Sequence, residues 1–63
     1  MKDIITYHSN GMLKYHKNTD TGSEYFFDHN DNVTRIVLPN LGYEETNVYD
    51  TNDNLIYHRT VFH

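Results

Sequence analysis

The chain carries one short pattern three times, as "TYHSNGMLKYH", "FFDHNDNVTRI" and "YDTNDNLIYH". In register, Tyr7, Phe27 and Tyr49 coincide, then Asn10, Asn30 and Asn52, then Leu13, Val33 and Leu55, at spacings of 20 and 22 residues. A unit that recurs at this period is one supersecondary element that cannot bury its apolar face alone and must pair with its neighbours. An aromatic, an Asn-centred polar turn and an aliphatic together specify a β-hairpin.

The register follows from the turn. If Ser9, Asn10 and Gly11 form a three-residue loop, a type I turn followed by a left-handed residue, then His8 faces Met12 and Tyr7 faces Leu13. A two-residue Asn-Gly loop would instead set Tyr7 against Lys14 and His8 against Leu13, separating the aromatic from the aliphatic. The longer loop also places Asp28 and Asp50 at the first turn position, where a carboxylate can cap the turn amides. Gly11, Asp31 and Asp53 then occupy the position that prefers a positive φ, unless that role slips to Asn32 and Asn54.

Composition agrees with strands. The chain has no Ala and no Gln, but seven Thr, six Tyr and eight Asn, residues that favour strands and turns over helices. We expect an all-β fold, an antiparallel meander of about six strands built from three consecutive hairpins. The strands are predicted at Ile4 to His8, Met12 to Lys17, Glu24 to Asp28, Val33 to Leu38, Thr46 to Asp50 and Leu55 to Phe62. Gly22 and Gly42 close the two links between hairpins, and the second link, around Pro39 and Asn40, is longer by two residues.

Sixty-three residues make a single domain, and a chain this short buries only about 60% of its unfolded surface. No Cys is present to staple it, which fits a reducing compartment, so association is the expected source of added stability. No signal-peptide pattern or apolar run of membrane length occurs, and the expectation is a cytoplasmic protein, in the host cytoplasm if phage-encoded. The net charge of −4, with no basic run, argues against direct binding to nucleic acid.

The pattern "YDTNDNL" resembles the YD repeats of RHS-type proteins, and the first copy, "YHSNGMLKYH", resembles MORN-variant repeats of antitoxin-like proteins. His8 stands where the YD pattern has Asp, and Asp31 and Asp53 stand where it has Gly. The resemblance covers Tyr7 to about Val61. It implies hairpin architecture and a scaffolding role, and it implies no reaction.

Catalytic chemistry finds little footing in the sequence. The five His (8, 16, 29, 58 and 63) have no compact ligand spacing backed by a carboxylate. "DHNDN" and "DTNDN" begin like calcium loops, but Val33 and Leu55 stand where Gly is required, and the distal Glu is missing. Neither Ser9 nor Ser23 lies in a nucleophile elbow. The expectation is a non-enzymatic chain without cofactor or metal.

The aromatics carry the functional reading. Tyr7, Leu13, Tyr15, Tyr25, Phe27, Val33, Tyr49, Leu55 and Tyr57 are expected to form a core or oligomer face, because a single sheet has no helix to cover it. The link residues Leu41, Tyr43, Glu44 and Glu45 break the repeat and are expected to form a loop that contacts a protein partner. The sequence thus reads as a protein-binding inhibitor or modulator, of the phage anti-defence or antitoxin-like kind, acting as a homo-oligomer with a dimer favoured. Alternatives are an acidic nucleic-acid mimic using Asp28, Asp31, Glu44, Glu45, Asp50 and Asp53, and a structural fragment of YD-repeat type.

Overall fold

In the computed structural model, residues 3–63 are described. They form β1 (Asp3–Tyr7), β2 (Leu13–Asn18), β3 (Glu24–Phe27), β4 (Val33–Leu38), β5 (Tyr43–Tyr49) and β6 (Leu55–Phe62), with a 3-10 turn at Pro39–Leu41 between β4 and β5. The strands lie in sequence order in one antiparallel sheet. The expected six-stranded meander of three hairpins is therefore the fold.

All three hairpin turns have the same construction. His8 N donates to Met12 O at 2.8 Å, Asp28 N to Asn32 O at 2.9 Å and Asp50 N to Asn54 O at 2.9 Å. The left-handed residue is Gly11 (φ 87°), Asp31 (φ 66°) and Asp53 (φ 64°), so the role does not pass to Asn32 or Asn54. Asp28 Oδ1 accepts the amides of Asn30 and Asn32, and Asp50 Oδ1 those of Asn52 and Asn54, all within 2.8–2.9 Å. Four amides that the turns leave unpaired are thereby satisfied.

Tyr7 pairs with Leu13, Phe27 with Val33 and Tyr49 with Leu55, as the three-residue loop requires. One residue farther from each turn the register shifts, leaving Lys14, Thr34 and Ile56 as extra residues on the returning strands. Each is a β-bulge, and with a side-chain period of two it sends the residues beyond it to the opposite face.

That shift corrects the single aromatic face expected from the sequence. One face holds the row Ile5, His16, Tyr25, Ile36, Glu45 and Thr60; the other holds Thr6, Tyr15, Phe26, Arg35, Thr46 and Arg59. Tyr15, paired with Phe26, and Tyr57, paired with Val48, therefore lie across the sheet from Tyr7, Tyr25, Phe27 and Tyr49. Leu13, Val33 and Leu55 remain opposite their aromatic partners.

The second correction concerns the longer link. Strand β5 starts at Tyr43 rather than Thr46, so Tyr43, Glu44 and Glu45 are strand residues and only Leu41 belongs to the connection. The 3-10 turn supplies the physical reason: Pro39 starts it, Gly42 closes it at φ 62°, and the chain re-enters the sheet at once, with Tyr43 opposite Leu38.

No second layer exists among the described residues. The Cα extents are 35 × 29 × 8 Å, and no described hydrophobic side chain is buried. Cross-strand pairs and backbone ladders hold the sheet instead, each side-chain pair contributing about 0.2–1 kcal/mol.

Candidate functional site

The face that carries Tyr25 also carries Tyr7, Phe27, Tyr43, Tyr49 and Phe62, by pairing and by strand alternation. The rings of Tyr43 and Phe62 meet edge-on at 5.2 Å, and His16 lies 6.2 Å from Tyr25. Ile5 and Ile36 lie in the same cross-strand row. We call this the aromatic face. The opposite face is mixed: Tyr15 stacks on Phe26 at 4.8 Å, but Arg35 and Glu44 form an ion pair beside them at 3.7 Å.

A polar chain crosses the aromatic face at β5 and β6. Tyr43 donates its hydroxyl to Glu45 Oε1 at 2.5 Å, and Asn47 Nδ2 donates to Glu45 Oε2 at 2.7 Å. The same Asn47 amide reaches Val33 O at 3.2 Å, while its Oδ1 lies 2.5 Å from His58 Nδ1. A carboxylate can only accept, so Asn47 must turn its Nδ2 toward Glu45, and its Oδ1 then accepts the proton of His58 Nδ1.

Asn47 is the one buried polar residue among those described, at 7% exposure. Hydrogen bonds donated by Tyr43 and Asn47 hold the Glu45 carboxyl below the ordinary carboxylate value: the Tyr43 hydroxyl is the largest cause, the Asn47 amide adds to it, burial opposes, and His58 assists. The Tyr43 phenol is pushed up by the same bond. Sequence reasoning passed over Asn47, although polar residues alternating with Tyr43 and Tyr49 along one strand face were a signal of a cross-strand network.

At one end of the sheet the three hairpin turns sit side by side. Asn10 Nδ2 donates to His29 O at 2.7 Å, joining the first turn to the second; Asn30 and Asn32 both donate to Asp53 Oδ1, at 3.1 and 2.9 Å, joining the second to the third. His8, which replaces the capping Asp in the first turn, donates from Nε2 to Phe27 O at 2.8 Å instead. Between the second and third turns lies an open cleft of about 450 Å³, whose lining includes His29, Asn30, Thr34, Tyr49, Thr51 and Asp53.

The acidic residues do not make one surface. Asp28, Asp31, Asp50 and Asp53 gather at the turn end, with Asp28 and Asp50 bonded to their own turn amides. Glu44 and Glu45, in β5, project to opposite faces. Of the calcium-loop oxygens of "DHNDN" and "DTNDN", those of Asp28 and Asp50 are engaged as turn caps.

Among the described residues, no group of three or more His, Asp or Glu side chains stands together to hold a metal ion, and no helix is long and apolar enough to cross a membrane. No family model, curated protein or solved structure matches the chain.

Proposed function

We propose that the chain is a non-catalytic binding module, an inhibitor or modulator of another protein, that works as a homo-oligomer. One observation carries the reading: an intact six-stranded sheet, 8 Å thick, in which no described hydrophobic side chain is buried. Phe62 is 74% exposed, Tyr7 63% and Ile56 62%. Aromatic surface of this extent is favoured at protein interfaces, where rings bury area at low entropy cost.

The aromatic face is the contact we assign to the partner, because it offers six of the nine aromatic rings together with Ile5 and Ile36. Its one buried polar group is already satisfied, so covering the network leaves no orphaned donor at Asn47. Self-association supplies what a chain of this length lacks in core.

The experiment is solution mass by light scattering over a dilution series, with unfolding followed in the same samples. A discrete oligomer whose unfolding midpoint falls on dilution supports the reading. A monomer with a midpoint independent of concentration removes its homo-oligomeric half.

A further inference from the structure

Both outer strands present unpaired backbone. The inward bonds His8 N to Met12 O and His63 N to Gly42 O set the alternation, so the N–H and C=O groups of Asp3, Ile5 and Tyr7 on β1, and of His58, Thr60 and Phe62 on β6, point away from the sheet. Every residue of β1 is exposed, as is every residue of β6 except Val61. Neither strand carries a Pro or a Lys, and the only charged side chains on the two edges are Asp3 and Arg59.

The turn ladder stops at the same edge. Asn10 reaches the second turn and Asn30 reaches the third, but the equivalent side chain of Asn52 has no hydrogen-bond partner among the described residues. Among the described residues, no Asn side chain reaches into the first turn from another turn.

We infer that copies of this chain join head to tail, β6 of one against β1 of the next, so that the meander continues across molecules and Asn52 bonds the first turn of the following copy. The inference rests on the homo-oligomeric reading above and adds which strands carry it.

The repeat provides the register. In the link from β2 to β3, Tyr15 pairs with Phe26 and His16 with Tyr25. Tyr57 and His58 are the repeat equivalents of Tyr15 and His16, and Thr6 and Ile5 those of Phe26 and Tyr25. Carried across the boundary, the same link sets Tyr57 against Thr6, His58 against Ile5, Arg59 against Ile4 and Thr60 against Asp3 of the next copy.

This register satisfies two conditions at once. It keeps each face continuous, since Tyr57 and Thr6 share the mixed face and His58 and Ile5 the aromatic face. It also brings the outward groups of His58 and Thr60 onto those of Ile5 and Asp3, as an antiparallel ladder requires. A contact between two different edges is heterologous, giving a ring if the rotation closes and a filament if it does not. The aromatic face stays free for the partner protein in either case.

The test uses two edge-blocked variants. Ile5→Pro and Thr60→Pro each remove an outward N–H and leave the bonds within the sheet, a position at which edge strands accept proline. Light scattering should find wild type growing beyond a dimer with concentration, and each variant alone monomeric. An equimolar mixture should recover a one-to-one dimer, because each variant retains the edge the other lacks. Dimers of Ile5→Pro alone would mean that β6 pairs with itself, and association of both variants at wild-type strength would mean that copies meet face to face; either result overturns the inference and leaves the homo-oligomeric reading standing. A wild-type monomer at every concentration overturns both. Should circular dichroism show either proline variant unfolded, Asn52→Ala decides: about 2- to 10-fold weaker association is expected, and unchanged association overturns the inference.

Discussion

Asn30 donates to the carboxylate of Asp53 at 3.1 Å across 23 residues of chain, and Asn32 donates to the same oxygen at 2.9 Å. One side chain of the third turn thus fastens the second. Its own backbone, at φ 64°, sits in the region that side chains other than Gly rarely adopt. The two Asp residues at equivalent left-handed positions therefore differ in what they contribute.

Asp31→Gly should stabilise the protein by about 0.5–1 kcal/mol, because it relieves a left-handed non-glycine residue without removing a bond between turns. Asp53→Gly should gain less or lose, since the relief is offset by two lost hydrogen bonds. Urea midpoints of the two variants check this; an equal rise for both would show that the Asp53 bonds contribute nothing.

Acid should destabilise the sheet at its turns and at β5. Burial pushes the Asp28 carboxyl up, but the Asn32 and Asn30 amides and the Asn32 side chain outweigh it and hold it below its ordinary value. Asp50 is held down chiefly by the Asn54 amide, against burial, and Glu45 chiefly by the Tyr43 hydroxyl. With folded values below unfolded ones, the unfolded chain binds protons more tightly. The stabilisation is present above the unfolded values, about pH 4–4.5, and is lost as pH falls through the folded ones. Melting temperature should fall below about pH 4 in wild type, and less steeply in Asp50→Asn.

Asn47→Asp should destabilise strongly at neutral pH and partly recover in acid. The substitution sets a second carboxylate against Glu45 Oε2, which Asn47 now meets at 2.7 Å with a donor. Two carboxylates at that distance do not both ionise freely, so one titrates above its ordinary value. Asn47→Ala, without the repulsion, should cost about 1–3 kcal/mol with little dependence on pH. Thermal unfolding of both variants at pH 7 and 5 separates the effects.

Gly42→Ala should cost more than the 1–2 kcal/mol expected of a left-handed alanine alone. A Cβ at this site would lie 2.7 Å from His63 O, closer than real Cβ contacts, so the end of β6 must shift. The substitution should also free the end of β6, because His63 N bonds to Gly42 O at 2.6 Å. Hydrogen exchange at Val61 and His63, whose amides point into the sheet, is the direct readout, and unchanged protection would contradict it.

The sequence by itself determined the three hairpins, their turns and the pairs nearest them. Tyr7 with Leu13, the capping role of Asp28 and Asp50, and the left-handed placement of Asp31 and Asp53 depend on residues within a few positions of one another, and local chemistry decides them. The ends of the strands and the faces of the sheet were decided only by the tertiary structure. A bulge at Lys14, Thr34 and Ile56 inverts every side chain beyond it, so Tyr15 and Tyr57 left the face that a bulge-free alternation assigned them. Tyr43 to Glu45 read as a loop because Pro39 and Gly42 flank a break in the repeat, yet pairing with β4 and β6 draws them into strand. The bonds from Asn10 to His29, Asn30 to Asp53 and Asn47 to His58 join residues 11 to 23 positions apart. No local pattern specifies them: the first two exist because a sequential meander sets its turns in a row, and the third because β5 and β6 pair Asn47 with His58.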